Sequence, residues 1–466
     1  MADATTAPPE AAAPLMAHEA AARRPVCPLC GRLVPPSRLF TTQRLQPQVL
    51  SLLVANCPGW RPERGLCPDC ATRFIEAWEE LRLRHPAQAG CRILPTALRL
   101  GASREFSGRG VTIAFLDSGF YSHPDLVEPR SRILAYTDVT RRGARLADLR
   151  KPDVSSWHGT MTSVVACGNG ALSDGLYRGL AWEASLVLVK VGSARRIAHD
   201  DIRRGLEWVI RNRKRYGIRI VNVSCGGDYE ASYLEDALSQ AAERASREGI
   251  LVCAAAGNAG LTPNHAVIPP GSAPSVLTVG GLDDKNRLDV RGYDMYHSSY
   301  GPTIDGLQKP EVIAPGIWVA APILPGTSSA EQAQLLAALG GARDAELKAM
   351  IGAAPGVDPA LDAALELEPY LIRQLVESRL RDNNLISGAY KHVDGTSFSA
   401  PIVSSVAAQM IEANPKLAAR EVKRILIDTA TRLSSVEAER QGWGVVNARL
   451  AVEAALHRAT APASPS

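Results

Sequence analysis

The stretch VTIAFLDSG at 111–119 decides the fold. Six apolar or β-branched residues in a row carry no helical period, and Asp117 closes them just before Ser118-Gly119, where a chain turns. Such a run reads as a strand buried on both faces, as in a parallel sheet. Three similar runs follow: SLVLVKV at 185–191, IRIVNVS at 218–224 and ILVCAAA at 250–256. Helical patterns stand between the later runs, HDDIRRGLEWVIRNRKRYG at 199–217 and YLEDALSQAAERASREG at 233–249. Strand and helix in alternation predict an α/β fold, a parallel sheet with helices on both faces. Sites in such sheets lie at the carboxyl ends of the strands, which is where Asp117 falls. A lone Asp-Ser-Gly is also an ordinary turn.

Three other stretches carry chemistry. HGTMTSVVACG at 158–168 puts His158 at the start of a helix, an unusual place for a core residue. LVCAAAGNAG at 251–260 runs a buried strand into Gly257-Asn258, where an amide side chain could meet a developing oxyanion. HVDGTSFSAPIVSSVAAQM at 392–410 places Ser397 after a tight Gly-Thr turn at the head of an apolar helix. Alone, that serine would read as an N-cap. A serine hydroxyl becomes a useful nucleophile only with an imidazole in reach and a carboxylate to orient it, and His158 and Asp117 are of those types.

Taken together, these pieces resemble the subtilase family of serine endopeptidases, in which the triad runs in the order Asp, His, Ser. NVSCGGD at 222–228 and SSYGPTIDGLQKPEVIAPG at 298–316 also match, and the resemblance covers about 108–456. It implies a subtilisin-like fold with Asp117 as orienting carboxylate, His158 as general base and acid, Ser397 as nucleophile and Asn258 as oxyanion donor. It further implies that protein or peptide substrates add a strand along Ser224, Cys225, Gly226 and Gly227, near Gly257. The competing expectation is an inactive protease fold that serves as a zinc-bearing protein-binding adaptor. No calcium site is readable from the residues.

Residues 323–388 depart from the family pattern. AEQAQLLAALG, DAELKAMIG and EPYLIRQLVESRLRD read as short helices inserted between the Ala314-Pro315-Gly316 segment and the serine's turn. Helices this short must pack on something, either on each other or across the cleft as a lid or partner-docking element.

The N-terminal region reads differently. VCPLCG and GLCPDC supply Cys27, Cys30, Cys67 and Cys70, two Cys-x-x-Cys pairs separated by 36 residues. Four thiolates suit a structural zinc ion. Cys57 and Cys91 are left over as structural thiols, and Cys167, Cys225 and Cys253 read as small apolar residues. The domain expectation is a disordered 1–24, a zinc-binding region and linker over 25–107, the peptidase domain over 108–456 and a disordered tail over 457–466. A regulatory protein partner would use the N-terminal region or the insertion.

The 466 residues are 46% apolar and 21% charged, with 52 basic against 48 acidic residues, so a large core is expected. The first hundred residues hold 12 arginines against 8 acidic residues, an excess too mild to indicate nucleic acid. No stretch has the length and apolarity of a signal peptide or a membrane span. Nine cysteines without such a leader point to reduced thiols and a cytoplasmic location.

Overall fold

The computed structural model describes residues 26–29, 33–35, 45–57, 59–84, 93–288 and 292–460. The expected disorder of 1–24, and the calls on Cys30 and Cys91, lie outside them. The chain divides into two compact units, Met1–Trp78 and Glu79–Ser466. Among the described residues no helix is long and apolar enough to cross a membrane.

The strands of the second unit are β1 (Thr112–Asp117), β2 (Ile133–Asp138), β3 (Ser185–Lys190), β4 (Ile218–Val223), β5 (Leu251–Ala255), β6 (Leu277–Asp283), β7 (Asp294–Met295), β8 (Gly301–Pro302), β9 (Gln308–Lys309), β10 (Val312–Pro315), β11 (Val319–Pro322) and β12 (Tyr390–Val393). Seven of them form one parallel sheet in the order β10-β6-β5-β4-β1-β3-β2, with β7 antiparallel to β6. The chain leaves β1 toward β2 on one side and later enters β4 on the other. The order therefore reverses between β1 and β4, the kind of point where open parallel sheets bind ligands.

Alternation along β1 explains its unbroken apolar run. Ile113 and Phe115 join one buried cluster with residues of the helices Ser156–Cys167, Thr396–Ala413 and Ala448–Thr460. Ala114 and Leu116 join the opposite cluster, with residues of the helices His199–Tyr216 and Ala237–Arg247. Each strand side chain thus meets a helix on one face or the other.

Two boundaries of the sequence reading move. Residues 93–107, expected in the N-terminal region, belong to the second unit: the Leu94 N–H donates to Asn286 at 2.8 Å, and Gln409 Nε2 donates to the Phe106 carbonyl at 2.6 Å. The last helix runs to Thr460, past the expected start of a disordered tail at 457. His457 and Arg458 lie in its last turn, where cations offset the helix dipole.

The insertion springs from an antiparallel pair, with Val319 opposite Val393 and Pro322 opposite Tyr390. Its helices Ser328–Gly341, Leu347–Gly352, Pro359–Asp362 and Pro369–Asp382 share a buried cluster that includes Leu336, Leu339, Ile351, Leu361, Ile372 and Val376. That cluster draws only on 323–385, so the short helices hide their apolar faces against each other. Asp358, fully buried, caps Leu361 and takes hydrogen bonds from Arg379 and Gln332. Burial pushes its carboxyl up, but those partners outweigh it and hold the group below the usual range. At the root, Tyr390 donates to Asp125 at 2.6 Å.

In the first unit, Val49 and Leu53 of the helix Pro47–Asn56 are buried, and Trp60 Nε1 donates to the Gly65 carbonyl at 3.0 Å.

Candidate active site

Asp117 ends β1 at the carboxyl edge of the sheet, fully buried. Its Oδ1 accepts from the Ser118 N–H at 2.7 Å, and its Oδ2 from Thr162 Oγ1 at 3.1 Å. Nδ1 of His158 lies 2.8 Å from Oδ1. The helix Ser156–Cys167 comes this close because glycines line its approach. A Cβ on Gly159 would stand 2.2 Å from the Gly119 carbonyl oxygen and 2.9 Å from Asp117 Cβ, and one on Gly119 would stand 2.7 Å from the Ser155 carbonyl. Gly119, two residues after Asp117, and Gly159, directly after His158, are thus steric requirements.

The imidazole keeps 20% of its side chain exposed. Burial lowers its pKa, but the charge and hydrogen bond of Asp117 outweigh burial and leave it above 6.5. With Nδ1 donating to Asp117, Nε2 is the nitrogen free to exchange a proton. Phe398, the neighbour of Ser397, sits with its ring centroid 5.7 Å from that of His158, and Trp157 stands edge-on at 5.1 Å.

Ser397 is the second residue of the helix Thr396–Ala413. Gly395 enters that helix at φ 133°, where a side chain would be strained. Its N–H donates to the Gly316 carbonyl at 2.8 Å, and Ser399 Oγ to the Pro315 carbonyl at 3.2 Å. The Ala314-Pro315-Gly316 segment therefore braces the serine's turn. Pro401 has no N–H to give the carbonyl four residues earlier, that of Ser397. Ser224 fills the gap: its Oγ donates to the Ser397 carbonyl at 2.8 Å. Behind it a buried relay runs from Asn222 Nδ2 to Ser224 Oγ at 2.8 Å and from Ser404 Oγ to Asn222 Oδ1 at 3.1 Å.

Asn258 follows Gly257, whose φ is 100°. Its Oδ1 accepts from the Thr396 N–H at 3.0 Å and from Thr396 Oγ1 at 2.9 Å. That leaves Nδ2 as the outward donor, 3.7 Å from a Cβ built on Gly395. The helix starting at Thr396 turns its positive end toward the same place. Thr162, Asn222, Thr396 and Ser404 were missed in the sequence, because hydroxyls and amides without a local pattern show a role only through partners far along the chain.

Ser224 to Gly227 leave β4 beside these groups. Ser224 is buried and Gly226 exposed. The Gly227 N–H is already given to the Pro269 carbonyl at 2.7 Å, which removes it as a donor to substrate, while the Ser224 hydroxyl is turned to Ser397. Cys225 is half-buried, its thiol pushed well up by burial and by Asp117. Burial likewise pushes the Cys167 and Cys253 thiols up to about 12.

In the first unit, the sulfurs of Cys27, Cys67 and Cys70 lie within 4.8 Å of one another, a group that could hold a metal ion. The Cys67 N–H points at Cys27 Sγ from 3.3 Å and the Cys70 N–H at Cys67 Sγ from 3.5 Å. Val26 bridges Leu33 across the turn that carries Cys27. Cys30, the fourth expected ligand, is outside the described residues.

A family model for the subtilase family matches residues 108–444. Serine protease AprX of Bacillus subtilis (strain 168) is 30% identical over 357 residues, covering 74% of this chain and 67% of that protein. Subtilisin BL of Lederbergia lenta is 25% identical over 352 residues, 75% of this chain and 93% of its own. Among solved structures, a protease of Pseudoalteromonas arctica aligns with 82% of this chain and 98% of its own at a TM-score of 0.52 and 23% identity, a likeness of fold.

Proposed function

The chain belongs to the subtilase family of serine endopeptidases, and on that premise we propose that it cleaves peptide bonds through an acyl-enzyme formed on Ser397. The observation that carries this reading is the 2.8 Å contact between Asp117 Oδ1 and His158 Nδ1. It fixes the tautomer that leaves Nε2 able to accept the serine's proton.

In the proposed reaction Ser397 Oγ attacks the scissile carbonyl as its proton passes to His158 Nε2. Asp117 stabilises the imidazolium without taking the proton. The oxyanion meets Asn258 Nδ2, oriented by Thr396, and the positive end of the serine's helix. Collapse expels the amine, which leaves with the proton from His158. Water then attacks the acyl ester by the same route, giving its proton to His158 and restoring Ser397. An extended substrate pairs with the backbone beside Ser224, Cys225 and the exposed Gly226, close to Gly257. An inactive adaptor finds no support, because nucleophile, base, carboxylate and amide are all present at one sheet edge.

A fluorophosphonate probe tests the reading on the full chain. It should label one serine, and Ser397→Ala should abolish both labelling and peptide hydrolysis. Labelling that persists in that variant removes Ser397 as the nucleophile.

We further propose that the N-terminal cysteines Cys27, Cys30, Cys67 and Cys70 hold zinc, three of which, Cys27, Cys67 and Cys70, lie among the described residues. The converging N–H groups support this, since they suit sulfurs carrying thiolate charge. Metal analysis of the full chain should find one zinc, and Cys67→Ser should lose it. Equal zinc in that variant sinks the assignment.

A further inference from the structure

A second histidine–aspartate pair lies outside the groups assigned above. His199 opens the helix His199–Tyr216, and its Nε2 lies 2.6 Å from Asp236 Oδ1. So short a contact with a carboxylate makes Nε2 the donor, and the neutral ring then carries its lone pair on Nδ1. That nitrogen is buried and, among the described residues, has no hydrogen-bond partner.

What covers it is the chain just beyond the proposed substrate-pairing segment. A Cβ on Gly227 would stand 2.3 Å from Nδ1, so only a glycine can rest there. Tyr229 stacks on the imidazole with centroids 4.7 Å apart and planes 9° apart. Between them, Asp228 Oδ2 accepts from the His199 N–H at 3.1 Å. Three consecutive residues thus bear on one histidine. Asp236 is itself held, since its Oδ2 accepts from the Ser239 N–H at the head of the helix Ala237–Arg247. A residue chosen for packing alone would be a hydrocarbon, without a nitrogen left unpaired. The imidazole instead offers one edge to anchor on Asp236 and a flat second edge, slim enough for backbone to lie against.

We infer that His199 is a positioning residue for substrate: anchored on Asp236, it fixes residues 226–229 so that the pairing segment meets an extended peptide in one register. The inference rests on the reading of 224–226 as that segment. Strand addition draws affinity from several backbone hydrogen bonds made together, so a loosened segment weakens long peptides most. The nucleophile, held from Ser224 and Asn222, is untouched.

The test compares a hexapeptide amide with a small acyl ester. His199→Ala is expected to raise KM for the hexapeptide about tenfold with kcat within about twofold, while ester turnover and fluorophosphonate labelling stay within about twofold. His199→Gln, whose amide can still donate to Asp236, should restore most of the KM. Tyr229→Ala spares the pair and removes only the stacked ring, and should give a smaller rise of the same kind. Where His199→Ala does not fold, Tyr229→Ala decides. Equal losses on ester and hexapeptide, or an unchanged hexapeptide KM, overturn the inference. A wild-type chain that fails to label at all overturns the protease reading instead.

Discussion

In the pair Asp117–His158 the carboxylate is fully buried and the imidazole is bound through Nδ1 at 2.8 Å; in His199–Asp236 the carboxylate is nearly as buried and the imidazole is bound through Nε2 at 2.6 Å. Both histidines sit in the first turn of a helix. The difference is in the nitrogen left over. Nε2 of His158 belongs to a ring still 20% exposed and in contact with Phe398, beside the serine. Nδ1 of His199 is closed off by Gly227. On the proposed roles, a carboxylate orients one imidazole for proton transfer and another for support. The surroundings of the second nitrogen decide between them.

The largest effect that separates the pairs should come from removing each carboxylate's charge. Asp117→Asn is expected to lower kcat by about 10⁴, the size found for this change in another Asp-His-Ser triad, whereas Asp236→Asn should act on KM for long peptides and leave kcat within about twofold. Steady-state kinetics on the hexapeptide and the ester compare them directly. Equal falls in kcat would erase the distinction drawn here.

The pH profile sharpens it further. The His158 pKa is raised above 6.5, because the Asp117 charge and hydrogen bond outweigh burial, and in the proposed reaction the imidazole works as base only when neutral. Activity is therefore expected to climb with pH through a midpoint above 6.5. Stability runs the other way. The folded state holds this proton more tightly than the unfolded chain, so its contribution is full below 6.5 and is lost as pH rises through the folded value. In Asp117→Asn burial remains without the opposing charge, and the midpoint of the residual activity should fall below 6.5. A midpoint that does not move on loss of Asp117 would show that some other group sets it.

This contrast explains what could be read from the chain. The places of Asp117, His158, Asn258 and Ser397 could be read because each lies near the end of a strand or helix and within two residues of a glycine, and their grouping came from the resemblance, in which the four motifs stand in order. The β1 run was legible because burial on both faces leaves no polar alternation. His199 looked like one more residue in HDDIRRGLEWVIRN, since its meaning depends on Asp236, 37 residues away, and on the backbone of Gly227. The insertion's helices could be read from their apolar spacing, but their mutual packing could not. Spacing marks a buried face and does not name what covers it.

Pro401 has a consequence for how precision is kept at the serine. In an unbroken helix the Ser397 carbonyl would take its position from the following turn, and any drift of the helix on the sheet would carry the hydroxyl with it. Because the proline withholds that bond, Ser224 fixes the carbonyl, and Ser224 begins the same short length of backbone on which a substrate strand would lie. Nucleophile and scissile bond then share one frame of reference. On the proposed reading, a displacement of β4 would carry both together through the Ser224 bond.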